Sequence, residues 1–228
     1  MKDVAGKTAF ITGGVSGVGL GIAKVFAGVG MKTVITYRRQ DHLDQAMGWF
    51  KARPHLIVHA IRVDVTDRQG LVRAADEAER VFGKVHVLCN NAGVNVFGPL
   101  DAATYEDWEW VMGVNFWGVV NGINTFVPRI KAHGEGGHII NVASMASFIT
   151  GPQAGLYTTL RGMLRNDLYI FSHPEGRADV QENCEAILAA FPDEPVPAQR
   201  MAVEEMRRAA KASSQTKRTA VGDLVVKP

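Results

Sequence analysis

The stretch that most constrains this chain is Lys7 to Gly21, KTAFITGGVSGVGLG, a short apolar β-favouring run that passes directly into a glycine-rich turn and then an amphipathic run. Gly13, Gly17 and Gly19 are spaced so that the backbone turns tightly and can approach a ligand closely. Ile22, Val25, Phe26 and Val29 follow at helical spacing. A helix starting near Gly17 directs its unpaired N–H groups and its positive dipole end at whatever lies over the turn, and a pyrophosphate is the natural occupant. Ser16 and Val18 belong to the same cradle.

The rest of the chain repeats the pattern. Lys32–Tyr37 reads as a second strand and 41–51 as a helix capped by Asp41. A third strand covers 56–63, and Asp67 caps a helix reaching Phe82. A fourth strand covers 85–89, and 105 to about 131 is a long helical region. Residues 137–142 are a fifth strand. Strands alternating with helices of this length predict right-handed crossovers and a doubly wound parallel sheet, a three-layer αβα arrangement. Ligands in such a sheet sit beyond the carboxyl ends of the strands. Polar and glycine punctuation follows those ends: Thr12-Gly13, Arg38-Arg39, Asp64-Val65, Asn91-Ala92-Gly93 and Ser144.

With 228 residues, 46% of them hydrophobic, the chain can bury one full core, and a single domain over 1–212 with a tail at 213–228 is expected. A formal charge of +2 argues against a nucleic-acid partner. Cys89 and Cys184 have no metal or disulfide spacing, so no metal is expected. No signal-like N-terminus and no membrane-length apolar run is present, and a cytoplasmic protein with no membrane partner is expected.

The end of the second strand carries Arg38 and Arg39 and no carboxylate. In a dinucleotide fold this position faces the adenosine ribose, where guanidinium groups favour a 2′-phosphate and a carboxylate would repel it. NADP(H) is therefore favoured, with NAD(H) as the alternative if both arginines are solvated and Asp41 serves the ribose. Asp64 is suited to the adenine edge with Val65 on the ring, or to capping the helix approach alongside Asp67. Asn91 could hold the cofactor ribose or tie neighbouring strands. Ser144 and Tyr157 are candidates for holding a substrate oxygen and exchanging its proton, given a positive charge to lower the tyrosine pKa.

Taken together, TGGVSGVG at 12–19, Asp64-Val65, NNAG at 90–93, Asn115 in VNFWG, Ser144 in NVAS and Tyr157 resemble the ordered motif set of the short-chain dehydrogenase/reductase family, over residues 1 to about 159. The resemblance implies a Rossmann-type domain with strand order 3-2-1-4-5-6-7 and hydride transfer between a nicotinamide and a secondary alcohol or ketone. In it Tyr157 is the acid/base and Ser144 orients the substrate oxygen. Asn115 kinks its helix and anchors a relay water, and Gly13, Ser16, Gly17, Val18, Gly19, Asn91, Ala92 and Gly93 contact the cofactor. It also implies a homodimer or homotetramer, to which the helix carrying Trp108, Trp110, Phe116 and Trp117 is a candidate contributor, unless those aromatics are core. Asn95, Val96, Phe97, Met145 and Phe148 are expected along the substrate pocket, which leans apolar without naming a substrate.

The pattern breaks after Tyr157. The family carries a lysine four residues on, where this chain has Arg161, and then a buried sixth strand and a Pro-Gly loop that are not found here. Asp167 to His173 instead resembles the last strand of such folds, followed by a C-terminal helical extension. One explanation is a compact variant of low activity in which Arg161 replaces the lysine. The favoured one is that a segment is absent near Thr159 and Leu160, which makes Arg161 part of a later helix. A second function, nucleotide binding without chemistry, stands beside the enzyme.

Overall fold

The computed structural model describes residues 3–143 and, beyond them, the single positions Leu156, Glu185, Met201 and Glu205. Ser144, Tyr157, the Thr159–Leu160 junction, Arg161, the expected strand at 167–173 and the tail lie outside the described residues. The described residues fall into two units, one of 3–96 and 103–143 and another to which residues 97–102 belong. The account below concerns the first.

Five strands, β1 (Thr8–Ile11), β2 (Lys32–Tyr37), β3 (Val58–Arg62), β4 (Val87–Asn90) and β5 (His138–Asn141), form one parallel sheet in the order β3-β2-β1-β4-β5. This is the expected order as far as the described residues reach. Successive strand side chains point to opposite faces, and the two faces carry separate cores. Phe10, Val34 and Leu88 pack with Leu71, Ala74 and Ala78 of α3 (Arg68–Phe82) and Phe126 and Ile130 of α5 (Gly118–His133). Ile11, Ile35 and Cys89 pack with Ala23 and Ala27 of α1 (Gly17–Gly28) and Ala46 and Phe50 of α2 (Gln40–Lys51). Helices on both faces make the three layers. The Phe10 and Phe126 rings meet at 4.5 Å between centroids, and each such fully buried side chain contributes about 1.5–3 kcal/mol.

Small residues set the spacing of helix to sheet. On α5, Gly118 and Gly122 face the strands so closely that a Cβ would lie 2.7 Å from Val65 Cγ2 and 2.3 Å from Asn90 Oδ1, respectively. Between them Asn121 Nδ2 donates to the Val65 carbonyl at 2.9 Å. Asp67 caps α3 as expected, accepting from Gly70 N at 2.9 Å. The cap assigned to Asp41 is corrected: α2 begins at Gln40 with Arg39 at its N-cap position, and no side chain caps it. Asp41 lies inside the first turn rather than ahead of it, and its carboxylate bonds the Arg39 guanidinium.

The long helical region is not one regular helix. After α4 (Tyr105–Met112), which opens with a Thr104–Asp107 capping box, residues Gly113–Trp117 form a π-helical turn before α5. At the amino end of the sheet, Glu135 accepts from Lys7 Nζ at 2.8 Å, Lys84 Nζ at 2.6 Å and His86 Nε2 at 2.9 Å. It thereby links the chain just ahead of β1, β4 and β5. Thr8 N–H donates to His86 Nδ1 at 3.2 Å, which places the His86 proton on Nε2. All four residues of β5 are exposed, whereas β1 and β4 are buried throughout. Among the described residues no further strand pairs with β5.

Candidate functional site

The strand order reverses between β1 and β4, and this is where an open α/β sheet leaves a crevice at its carboxyl edge. The glycine turn leaves β1 on one side of that point and Asn90-Asn91-Ala92-Gly93 leaves β4 on the other. Thr12 joins them: its Oγ1 donates to the Cys89 carbonyl at 3.3 Å and accepts from Asn91 N at 2.9 Å and Ala92 N at 3.0 Å. Asn91 returns the link, since its Nδ2 donates to the carbonyls of Thr12 at 2.9 Å and Gly13 at 3.2 Å. Of the two roles weighed for Asn91, the strand tie is therefore present in the geometry. On the β2 side, Thr36 Oγ1 accepts from Gly13 N at 3.0 Å, and its carbonyl accepts from Gly14 N at 3.1 Å.

Gly13 and Gly17 have φ of +64° and +50°, in the left-handed region that favours glycine. At Gly17 a Cβ would meet nothing within 4 Å, so the turn is open on that side. At Gly19 a Cβ would lie 2.3 Å from Asn91 Nδ2 and 2.4 Å from the Gly13 carbonyl, so only glycine fits under the Asn91 bridge. Ser16 occupies the N-cap position of α1 without making a side-chain cap bond, and the first turn of α1 contains no acidic residue. The N–H groups of Gly17, Val18 and Gly19 therefore stay available to an anion.

Both arginines are placed at the end of β2 and both are paired. Arg38 Nε lies 3.4 Å from Asp64 Oδ2, and Arg39 reaches both Asp41 oxygens, at 3.1 Å and 2.5 Å. The Arg39 guanidinium holds the Asp41 carboxyl below its usual range. Asp64 Oδ1 also accepts from Thr66 N at 2.9 Å and Thr66 Oγ1 at 2.8 Å, turning the chain toward Asp67. Val65 is buried with its side chain against Gly118.

Asn115 sits at the centre of the π-helical turn. Its Oδ1 accepts from Val94 N and its Nδ2 donates to the Val94 carbonyl, both at 2.8 Å. One side chain thus grips both polar groups of a residue just beyond Gly93 and fixes that segment against the helix. The helix departs from regular α geometry at this position. Cys89, directly under the crevice, has its thiol pushed up to about 11 by burial, which leaves it protonated and unreactive at neutral pH. Tyr105, Trp110, Phe116 and Trp117 are all exposed, and Trp108 is half-buried, so the aromatics of this helix are mostly surface rather than core.

Thr36 was not singled out by sequence reasoning, and Thr12 received no role there. The signal was nevertheless present: once Ile11 is aligned with Ile35, the next residues are Thr12 and Thr36, two hydroxyls flanking the first glycine of the turn. Ser144 and Tyr157 lie outside the described residues, so the structure does not bring them to this site or away from it.

Residues 7–164 match the short chain dehydrogenase family profile. The chain is 44% identical over 162 residues to C alpha-dehydrogenase of Sphingobium sp. strain SYK-6, covering 71% of this chain and 53% of that protein. It is 34% identical over 160 residues to NADP-dependent (R)-specific alcohol dehydrogenase of Lentilactobacillus kefiri, covering 70% and 63%. It thus spans between about half and just under two thirds of the length of these curated relatives. A short chain dehydrogenase/reductase from Burkholderia phymatum, solved in complex with NAD, superposes with a TM-score of 0.66 at 31% identity, covering 92% of this chain and 80% of that one. Profile, relatives and fold agree with the glycine turn, the strand order and the Asn91–Thr12 bridge: the chain belongs to the short chain dehydrogenase family.

Proposed function

We propose that this protein is an NADP(H)-dependent oxidoreductase that interconverts a secondary alcohol and a ketone. The observation that carries the reading is the glycine turn at the sheet's reversal point, open at Gly17 and followed by a helix whose own Ser16 leaves its first N–H groups uncapped. Gly13, Ser16, Gly17, Val18 and Gly19 would hold the pyrophosphate. Asp64 and Val65 would flank the adenine, and Asn91, Ala92 and Gly93 would border the ribose toward the reacting end. A bound nicotinamide supplies the acceptor or donor for the hydride.

Arg38 and Arg39 support the phosphorylated cofactor. Their carboxylate partners are on exposed side chains, and solvent and salt screen such surface pairs, so they hold the guanidinium groups weakly. A 2′-phosphate, carrying more charge and forked acceptor geometry, can displace them. The Lentilactobacillus relative is named as NADP-dependent, while the Burkholderia structure holds NAD. In oxidation the Tyr157 phenolate takes the alcohol's hydroxyl proton as the carbon gives up its hydrogen with the electron pair. Ser144 holds the same oxygen, and Asn115 positions the segment after Gly93 and anchors a relay water. Exposed Trp110, Phe116 and Trp117 support self-association into a homodimer or homotetramer. Among the described residues no helix is long and apolar enough to cross a membrane.

Calorimetric titration with NADP⁺ and NAD⁺, followed by a panel of secondary alcohols read at 340 nm, tests this. The expectation is tighter NADP⁺ binding by tenfold or more and turnover that disappears in Tyr157→Phe. Failure to bind either dinucleotide refutes the reading. Binding without turnover on any alcohol or ketone favours the second one, a nucleotide-binding protein without chemistry.

A further inference from the structure

Arg38 and Arg39 follow one another directly after β2, yet their guanidinium groups are engaged differently. Arg39 presents Nε and Nη2 to the two oxygens of Asp41, at 3.1 Å and 2.5 Å. This is the parallel fork that a guanidinium offers to a carboxylate or a phosphate. Arg39 is the N-cap residue of α2 and Asp41 lies in its first turn, so the fork closes between near neighbours in the chain and needs no support from another element. Arg38 meets Asp64 Oδ2 through Nε alone, at 3.4 Å. Asp64 is committed elsewhere, since its Oδ1 accepts from both the N–H and the hydroxyl of Thr66. All four charged side chains reach solvent, so a phosphate arriving from solution can contact either arginine.

We infer that Asp41 is a selectivity-determining residue of the dinucleotide site: its carboxylate occupies the fork of Arg39 that a 2′-phosphate would take, leaving Arg38 as the main phosphate ligand. The inference rests on the proposed NADP(H)-dependent function. A carboxylate and a phosphate present the same pair of acceptor oxygens, and one Nε–Nη2 edge serves only one of them at a time. The competitor is tethered two residues away and is always at hand, so NADP⁺ must open the pair before it gains the second arginine. NAD⁺ has no 2′-phosphate and meets no such competition. Asp41 thereby narrows the gap between the two cofactors. The pair is on the surface and screened, which keeps the effect modest.

The test titrates NADP⁺ and NAD⁺ calorimetrically, at low ionic strength, into the full chain as wild type, Asp41→Asn, Arg39→Gln, Arg38→Gln and the double variant Asp41→Asn with Arg39→Gln. Asp41→Asn is expected to tighten NADP⁺ by about twofold to fivefold and to leave NAD⁺ affinity unchanged, which also reports that the variant is folded. Arg38→Gln should weaken NADP⁺ by about tenfold, and Arg39→Gln by about twofold or less. The gain from Asp41→Asn should vanish in the double variant, because the competition runs through Arg39. A gain that persists without Arg39 overturns the inference, since Asp41 would then act by direct repulsion of the phosphate. Unchanged or weaker NADP⁺ binding in Asp41→Asn overturns it as well, and so does a larger loss from Arg39→Gln than from Arg38→Gln. Weakened NAD⁺ binding in Asp41→Asn overturns it by placing Asp41 on the ribose. Failure of wild type to bind either dinucleotide, or tighter binding of NAD⁺ than of NADP⁺, refutes the functional reading itself and is read from the wild-type titrations alone.

Discussion

Replacing Gly19 by alanine separates the packing of the glycine turn from the helix that follows it. In an ordinary helix, Gly→Ala stabilises by about 1 kcal/mol, and Gly19 is in the first turn of α1. Here the added Cβ would stand 2.3 Å from Asn91 Nδ2, 2.4 Å from the Gly13 carbonyl and 3.0 Å from Asn91 Cγ, whereas carbon and nitrogen or oxygen rest about 3.4 Å apart or more. Both obstacles must retreat by about an ångström, and one of them is backbone. Displacing Asn91 breaks two bonds, to Thr12 O and Gly13 O, at about 1 kcal/mol each, and overpacking adds about 1–3 kcal/mol. Subtracting the propensity gain leaves a net loss of about 2–4 kcal/mol. Urea denaturation followed by circular dichroism measures it, and an NADP⁺ titration should show affinity weakened tenfold or more because the N–H groups move with the turn. A Gly19→Ala protein as stable as wild type with unchanged cofactor affinity would refute the bridge as the reason for glycine here.

Two further outcomes follow from groups away from the turn. The Glu135 carboxyl is held well below its ordinary 4.5, chiefly by Lys7, then by Lys84 and His86. A depressed folded value means a contribution present above about pH 4.5 and lost as pH falls toward the folded value. Melting midpoints measured between pH 3 and 7 should therefore drop more steeply below pH 4.5 in wild type than in Glu135→Gln; parallel curves would contradict the assignment. Cys89 is buried and its thiol is raised to about 11. Iodoacetamide at pH 8 should leave it unmodified in the native chain and alkylate it after denaturation, as read by peptide mass mapping.

What the sequence disclosed about the fold follows from periodicity. β2 was bounded at Lys32 and Tyr37, as found, because polar residues bracket an apolar run, and β4 shifted by only one or two residues at each end. The cap misplaced at Asp41 shows the weakness of the rule: an aspartate before a helical pattern is a cap only if the helix starts after it, and its choice between free N–H groups and Arg39 is made by side-chain geometry. At the site, the glycines and Asn91 were legible because close approach leaves few residue types, whereas the pairing of Arg38 with Asp64 joins two strand ends and depends on β2 lying beside β3. The same holds for Asn115: its place in the helix was legible, but its two bonds to Val94 depend on tertiary contact.

The π-helical turn at Gly113–Trp117 also fixes the angular phase of the helix pair around it. An α-helix advances about 100° per residue, so the extra residue of a π turn rotates everything beyond it relative to everything before. α4 presents Val111 to the interior, and α5 presents Gly118, Asn121, Gly122 and Phe126. Both faces are buried although the turn between them departs from α geometry. In this stretch the exposed Phe116 and Trp117 should tolerate substitution far better than Asn115, whose two bonds to Val94 tie the turn to the segment after β4.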